Sequence, residues 1–147
     1  MRCDVRKIGW MILLLVSAPA WSNWEVAGGS VVQFISIKNN AVGELNRFES
    51  VVGTVTDEGQ VDIRVALDTV ETNVGIRNDR MKALLFEVGL FPEATITAQL
   101  APSAVSATQS HTVETRLTID LHGQVVQRAA TLQIAPNEQG LSVVSVE

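Results

Sequence analysis

The residues that could carry out chemistry are two histidines and a handful of carboxylates. His111 and His122 are eleven positions apart, so an unbroken strand would place them on opposite faces and not around one metal ion. The carboxylates that could act as acid and base lie in a predicted turn and on a polar strand face, at Asp57, Glu58, Asp62 and Asp68. A catalytic carboxylate needs a desolvated pocket and a partner group. Neither is visible here, so the sequence favours surface roles for all of these residues.

The sequence also lacks the motifs that many enzyme classes require. No serine lies in a G-x-S-x-G elbow, and there is no P-loop or dinucleotide-binding fingerprint. The single cysteine, Cys3, lies in the segment that we interpret below as a cleaved leader. We therefore predict a protein that is not an enzyme, with no catalytic residue, no metal site and no cofactor.

Residues 68–97 contain the only convincing helix among segments that otherwise alternate as strands do. Apolar residues recur there at helical spacing, at Met81, Leu84, Leu85 and Val88, so a helix would place all four on one side. Asp79 is predicted to cap its start and Gly89 to end it, and Pro92 prevents the helix from resuming. A helix of about nine residues is too short to be stable alone in water. We therefore expect it to lie against the strands as a lid or plug.

Segments with strand alternation surround this helix on both sides. In residues 61–68 apolar side chains alternate with polar or small ones, and residues 113–121 repeat the pattern. Turn signals separate such segments, as at Asn39 and Asn40, and residues 45–55 are predicted to form one longer extended segment. The Ser/Ala-rich residues 101–110 are predicted to form a mobile loop. We predict about seven strands in hairpin order. Antiparallel strands with one short helix indicate an all-β protein, either an up-and-down barrel or a sandwich.

The first 22 residues predict a secretory signal peptide. Three basic residues precede an apolar run at residues 8–16, and small residues at Ala20 and Ser22 suit a signal peptidase. We expect cleavage after Ser22, with cleavage after Ala20 as the alternative, which leaves one domain at residues 23–147. An exported protein without a cysteine at the cleavage point is expected to be periplasmic.

The composition of the remaining chain narrows the classes of partner. Without residues 1–22 the chain keeps 8 of its 11 basic residues and 15 of its 16 acidic residues, so its net charge falls from −5 to near −7. This balance argues against nucleic acid or an anionic membrane surface as the main partner, since both require concentrated lysine and arginine. Because no cysteine remains, stability must come from packing and from sheet hydrogen bonds.

Three segments carry a resemblance to a known family, namely SVVQFISIKNNAVGELNRFESVVGTV, VDIRVALDTVETNVGIRNDRMKALLFEVGLFPEATIT and LTIDLHGQVVQRAATLQI. They resemble the YceI-like family of bacterial periplasmic proteins, lipocalin-like β-barrels associated with binding polyisoprenoid lipids. The middle segment is the most specific, with Arg77, a short helix carrying Phe86, and then Phe91 and Pro92. The resemblance implies an antiparallel lipocalin-like β-barrel with one short helix inserted between strands.

The chain departs from the family pattern in two places. Asn78, Arg80 and Met81 stand where the family usually has an acidic residue and then a His-Leu pair that opens the helix. The chain also ends after LSVVSVE, whereas relatives continue through further strands. We therefore expect a truncated sequence that lacks its closing strands, with completion of the barrel by oligomerisation as the alternative.

The resemblance implies an apolar channel that holds a long isoprenoid chain, polyprenyl or quinone-type, without chemical turnover. Periodicity alone favours a filled core for the same side chains, because sequence does not measure a cavity. The residues expected to line the channel are Phe34, Phe48, Ile63, Val65, Leu67, Leu85, Phe86, Phe91, Ile96, Leu117, Ile119 and Leu121.

Arg77 and Arg80 flank Asp79 near the predicted helix start, and two interpretations of them are open. One is a structural ion pair with the cap. The other is that they face the barrel mouth, where a guanidinium group would meet the phosphate or oxygenated head group of a lipid. For the second role Arg77 is the first candidate.

Two other functions also remain open. One is a stress-related, partner-binding protein whose barrel is filled by side chains. The other is a redox accessory protein that presents a quinone to a membrane cytochrome. The partners expected are an isoprenoid lipid, a membrane protein in transient contact and a second copy of the chain in a homodimer, whereas nucleic acid is not expected.

Overall fold

The computed structural model describes residues 23–38, 42–138 and 140–146, and antiparallel strands make up most of this part of the chain. The predicted leader and the predicted turn at Asn39 and Asn40 lie outside the described residues. The strands are β1 (Asn23–Glu25), β2 (Val32–Lys38), β3 (Val42–Phe48), β4 (Val51–Thr56), β5 (Gln60–Ala66), β6 (Val70–Glu71), β7 (Glu93–Gln99), β8 (His111–Leu121), β9 (Gln124–Asn137) and β10 (Gly140–Val146).

The strands form two sheets that together make a nearly closed antiparallel barrel, so the predicted all-β, lipocalin-like fold is confirmed. Seven strands pair in the order β1-β4-β5-β7-β8-β9-β10, and three pair in the order β2-β3-β6. The prediction of about seven strands was too low for the described residues. It missed the short β1 and β6, and it treated residues 45–55 as one segment, which the chain divides between β3 and β4.

The corner between the two sheets is held by Thr69, at the end of a 3-10 turn at Leu67–Thr69. Its hydroxyl oxygen accepts hydrogen bonds from the backbone N–H groups of Glu49 at 3.2 Å and Ser50 at 3.1 Å. The same hydroxyl donates to the carbonyl oxygen of Ala66 at 2.6 Å. One side chain therefore joins the β3–β4 connection to the β5–β6 connection, where both change from one sheet to the other.

The predicted helix is present, but its ends differ from those predicted. It begins as α1 (Gly75–Arg80), whose N-cap is Val74 without a side-chain cap hydrogen bond, so the prediction that Asp79 caps the start was wrong. It continues as a π-helical turn at Met81–Leu85. Glu87, with φ of 47°, adopts the left-handed conformation that we had expected at Gly89. The helical run therefore starts and stops earlier than the sequence signals indicated.

The π-helical turn also changes which side chains face the sheet. The backbone N–H of Phe86 donates to the carbonyl oxygen of Met81 at 2.9 Å, five residues back. Met81 packs against the core and Phe86 is buried, whereas Leu84 is 78% exposed and Leu85 is 58% exposed. Of the four residues of the predicted apolar face, Met81 and Val88 pack against the first cluster, as predicted. The prediction was wrong for Leu84 and Leu85, because the wider turn moves the inward position from Leu85 to Phe86.

A second, one-turn helix, α2 (Pro102–Val105), lies in the segment that we predicted to be a loop. Pro102 occupies the first turn, where a missing backbone N–H costs nothing. Ala104 and Val105 are buried, at 6% and 3% exposure. The small side chains that predicted a mobile loop are instead what allows this turn to pack closely on the barrel.

Two hydrophobic clusters fill the ends of the interior. The first lies under α1 and the π-helical turn and consists of Phe48, Val65, Leu67, Val70, Phe86 and Ala94. The second lies under α2 and consists of Val61, Leu100, Ala104, Val105, Leu132 and Ile134. Strand β5 contributes Val65 to the first cluster and Val61 to the second, and β7 contributes Ala94 to the first and packs Ala98 against the second. Ile63, between them on β5, packs against both clusters.

Candidate functional site

The inner face of strands β7, β8 and β9 carries a group of apolar side chains between the two clusters, and Arg128 lies on the same face, opposite Leu117. The register places Ile96 opposite Ile119, and Ile119 opposite Val126. Ile96, Leu117 and Ile119 are half-buried and Val126 is 41% exposed. We call these four residues the inner wall. Alternation along β8 puts Leu117 and Ile119 on the same face as Val113, which packs against the second cluster, so the wall continues the lining of the interior.

The residues predicted to line a channel lie in four different surroundings. Most lie in or against the first cluster, namely Phe34, Phe48, Ile63, Val65, Leu67, Phe86 and Ile96. Leu117 and Ile119 belong to the inner wall. Leu85 and Leu121 are exposed, at 58% and 37%. Phe91 is half-buried and packs against His122 with ring centroids 4.3 Å apart. Contact of these residues with a lipid stays a prediction.

Three phenylalanines form the floor of the first cluster. Phe34 and Phe48 stack with ring centroids 5.3 Å apart, and Phe48 meets Phe86 edge-on at 5.5 Å. Such pairs add stabilisation beyond the area that they bury. Phe86 comes from the π-helical turn and the other two come from β2 and β3, so this contact fixes the helix onto the three-stranded sheet.

Next to these aromatic rings the inner face becomes polar. The register of β2 and β3 places Phe34 opposite Asn46, and Ser36 opposite Glu44. Asn46 is only 3% exposed. Its side-chain amide nitrogen donates to the Ser36 hydroxyl at 2.9 Å and to the Glu44 carbonyl oxygen at 3.1 Å. Its side-chain oxygen is buried and accepts no hydrogen bond from any described residue.

Arg77 reaches this polar region from α1. Its guanidinium group pairs with the Glu44 carboxylate and donates to the Thr72 carbonyl oxygen at 2.6 Å. Its Nε–H is buried and has no partner among the described residues. We call Ser36, Glu44, Asn46 and Arg77 the polar layer.

The first of the two interpretations, a structural ion pair of the arginines with Asp79, was therefore wrong for the described residues. The helix begins at Gly75, four residues before Asp79, and directs Arg77 toward β3, where Glu44 lies. Arg80 is exposed and forms no ion pair within the described part of the chain. A head-group contact by Arg77 or Arg80 stays a prediction.

The loop from β6 to α1 is held by two further buried polar residues. The Asn78 side-chain oxygen accepts hydrogen bonds from the Thr72 backbone N–H at 2.9 Å and from the Thr72 hydroxyl at 2.6 Å. Thr72 and Asn78 are 2% and 9% exposed. A hydrogen bond from the Asn78 side chain, with another from the Asn73 backbone, holds the pKa of Glu71 below its ordinary value. This network fixes the backbone from which Arg77 projects.

Sequence reasoning missed Asn46, Thr72 and Asn78 as residues of the site. A signal for Asn46 was present, since it lies two positions before Phe48 on the same strand and therefore on the same face. A polar residue at an inward position indicates a partner that satisfies it. Asn78 was noted only as a departure from the family pattern.

The two histidines lie far apart in the sheet and have different contacts. His111 Nδ1 is 3.0 Å from the Gln109 carbonyl oxygen, and His122 Nε2 is 2.6 Å from a Glu87 carboxylate oxygen. The second contact links the β8–β9 turn to the segment that leaves the helix. Among the described residues, no group of three or more His, Cys, Asp or Glu side chains is placed to hold a metal ion. The described helices are all too short to span a membrane.

Two shallow grooves lie on the outside of the molecule. One, of about 410 Å³, runs beside the π-helical turn and is lined by Asp79, Lys82, Ala83, Glu87, Val88, Gly89 and Leu90. The other, of about 350 Å³, lies on the outer face of β4 and β5. Neither is lined by the inner wall or by the polar layer, so neither corresponds to the predicted channel.

The sequence matches the family model of the YceI-like domain over residues 24–146. The chain belongs to the YceI-like family. The resemblance carried by the three sequence segments is thereby confirmed. None of the curated proteins searched matches the chain.

Two solved structures are similar to this one. A polyisoprenoid-binding domain from Saccharophagus degradans, implicated in plant cell wall breakdown, is 27% identical with a TM-score of 0.70. The match covers 78% of this chain and 68% of that one. BcnA from Burkholderia cenocepacia is 14% identical with a TM-score of 0.61, over 78% of this chain and 72% of that one. At this identity BcnA supports the fold alone.

Proposed function

We propose that this YceI-like protein binds or carries a long-chain isoprenoid lipid, polyprenyl or quinone-type, in the periplasm and does so without chemical turnover. The observation that carries the proposal is the inner wall, an apolar surface inside the barrel that neither packed cluster covers fully. The polyisoprenoid-binding relative from Saccharophagus degradans supports the same ligand class.

The mechanism that we propose is physical. An isoprenoid chain is sparingly soluble in water, and each Å² of apolar surface removed from water contributes about 25 cal/mol. The cost of ordering the ligand offsets part of that gain. The chain would lie along Ile96, Leu117 and Ile119, and the aromatic floor of the first cluster would meet one of its ends. Release would then require only transfer to another apolar surface, with no bond made or broken.

Lipid binding by a matched pair of variants tests the proposal. Ile119→Asn places a polar amide on the inner wall, and Val125→Asn places the same amide on the outer face of the neighbouring strand, where Val125 is 63% exposed. We expect Ile119→Asn to lower the affinity for a polyprenyl lipid by about tenfold or more. Val125→Asn should change it by less than about twofold.

The measurement is native mass spectrometry of the exported protein with and without added polyprenyl lipid and quinone. Circular dichroism confirms that both variants fold. Protein that is empty as purified and also ignores every added isoprenoid would refute the proposal. Equal loss of binding in the two variants would place the lipid away from the inner wall.

A stress-related, partner-binding protein with a filled barrel is the second candidate function. It is favoured by the close packing of both clusters and by the exposed Leu84 and Leu90, at 78% and 73%. The same mass spectra separate the two functions, because a filled barrel would stay empty of lipid. The redox accessory function has no specific observation in its favour.

A further inference from the structure

The polar layer contains an unmet hydrogen-bond acceptor next to the apolar interior. Asn46 cannot be turned over to satisfy it, because its amide nitrogen already donates to the Glu44 carbonyl oxygen, which can only accept. The side-chain oxygen must therefore occupy the position that lacks a donor. Buried polar atoms without partners are rare in folded proteins and costly, so this one calls for an explanation.

The same layer also contains an unmet donor. Arg77 uses its terminal nitrogens for Glu44 and for the Thr72 carbonyl oxygen, which leaves the buried Nε–H without an acceptor. Because the Glu44 carboxylate pairs with the guanidinium group, the positive charge of Arg77 is already compensated. The layer therefore offers one donor and one acceptor and little net charge to an incoming group.

The position of the layer connects it to the apolar interior. Asn46 is directly opposite Phe34 in the β2–β3 ladder, and Phe34 packs against the first cluster. Two residue pairs further along, and therefore on the same face, Ser36 lies opposite Glu44. A ligand whose tail lies against the aromatic floor would thus place its terminal polar group at Asn46.

We propose that the polar layer recognises the head group of the bound isoprenoid and selects an uncharged hydroxyl, as in a polyprenol or a hydroquinone, over a phosphate. A hydroxyl group donates to the Asn46 oxygen and accepts from an N–H such as that of Arg77. A phosphate near neutral pH is mainly an acceptor with negative charge. It would face the Asn46 oxygen and the Glu44 carboxylate, both of which repel it. This inference rests on the proposed function.

Binding of three ligands with the same C20 isoprenoid chain tests the inference. They are geranylgeraniol, geranylgeranyl phosphate and the matching hydrocarbon without a head group. We expect the wild-type protein to bind the alcohol about tenfold more tightly than the phosphate. The alcohol forms a hydrogen bond with the Asn46 oxygen, whereas the phosphate places another acceptor against it. Native mass spectrometry with each ligand added at the same low concentration gives the three dissociation constants. This comparison needs no variant and so does not depend on a mutant folding.

Asn46→Leu then removes the acceptor while keeping side-chain size. We expect it to weaken binding of the alcohol about fivefold and to leave the affinity for the hydrocarbon unchanged. Asn23→Leu, the same substitution on the exposed strand β1, is the matched control and should change none of the three constants.

The outcomes separate the inference from the proposed function. If the hydrocarbon binds but the alcohol and the phosphate bind equally, the inference is overturned and isoprenoid binding stands. If Asn46→Leu keeps the full preference for the alcohol, Asn46 is not the recognition residue and the inference is again overturned. If none of the three ligands binds, both the inference and the proposed function fail.

Discussion

The two hydrophobic clusters lie at opposite ends of the barrel interior, and they differ in composition and in what borders them. The first contains Phe48 and Phe86 and adjoins all three of the buried polar residues found in the described chain, Asn46, Thr72 and Asn78. The second is entirely aliphatic and is covered by Ala104 and Val105 of α2.

The two ends also differ in the unmet polar groups beside them. The polar layer at the first cluster holds a buried acceptor and a buried donor, whereas at the second cluster the buried Nε2 of His111, opposite Ile134 in the β8–β9 ladder, has no partner among the described residues. The side chains of the second cluster are themselves all aliphatic and form no hydrogen bonds. The aromatic cluster passes directly into a polar layer whose buried acceptor and donor are unmet. The head-group recognition proposed above assigns ligand selection to the polar layer, at the α1 end of the barrel.

The largest effect is expected at Phe86, which is 6% exposed and contacts Phe48. Phe86→Ala should lower the free energy of unfolding by about 3 to 5 kcal/mol, because it removes the contact between the π-helical turn and the sheet. Leu84→Ala, two residues earlier at 78% exposure, should change it by less than about 0.5 kcal/mol. Urea unfolding followed by circular dichroism measures both. Similar losses in the two variants would contradict the inward turn at Phe86.

The helix illustrates where sequence reasoning succeeded and where it did not. Its existence followed from apolar periodicity and its position from the flanking strands, since both signals are local. The inward residues could not be predicted, because the periodicity argument assumes 3.6 residues per turn and the π-helical turn at Met81–Leu85 is wider. That choice is made by packing against Phe48, which is distant in sequence.

The strands and the site show the same contrast between local signals, which the sequence carries, and contacts with distant residues, which it does not. Alternation predicted the segments around β5 and β8, because a strand with one buried face alternates apolar and polar side chains within its own sequence. Asn46 was not predicted as part of a site, since its burial depends on pairing with β2 and on α1 lying above it. Burial of a polar residue is a tertiary property, and the sequence alone carried only its position relative to Phe48.

The second cluster should be equally sensitive to loss of volume but unrelated to ligand selection. Ile134 is 2% exposed, so Ile134→Ala should lower the free energy of unfolding by about 2 to 5 kcal/mol. In protein that remains folded, the ratio of affinities for geranylgeraniol and its phosphate should be unchanged. Native mass spectrometry at low temperature measures this ratio of the two affinities. A changed ratio would mean that the two ends of the barrel are not functionally separate.

A smaller loss is expected at the corner that joins the two sheets. Thr69→Val keeps the shape of the side chain but removes its hydroxyl. That hydroxyl accepts hydrogen bonds from the backbone N–H groups of Glu49 and Ser50 and donates to the Ala66 carbonyl oxygen. We expect a loss of about 1 kcal/mol, since water can reach the exposed N–H groups that are left. Thr112→Val, on an exposed position of β8, is the control and should have little effect. Equal urea midpoints for the two variants would show that the corner does not depend on this hydroxyl.

The smallest effect concerns the acid sensitivity of the α1 end. The pKa of Glu71 is held below its ordinary value, chiefly by the Asn78 side chain, so the folded state favours the carboxylate. Its contribution to stability is therefore complete above the pKa of the unfolded chain and is lost as the pH falls through the lowered pKa of the folded chain. Glu71→Gln should be slightly less stable than the wild type at pH 7, and the difference should shrink as the pH falls below about 4.5.

Urea midpoints measured from pH 7 to pH 3 test this, with Glu114→Gln on the exposed face of β8 as the control. A gap between wild type and Glu71→Gln that is constant with pH would mean that the carboxylate does not hold the loop from which Arg77 projects.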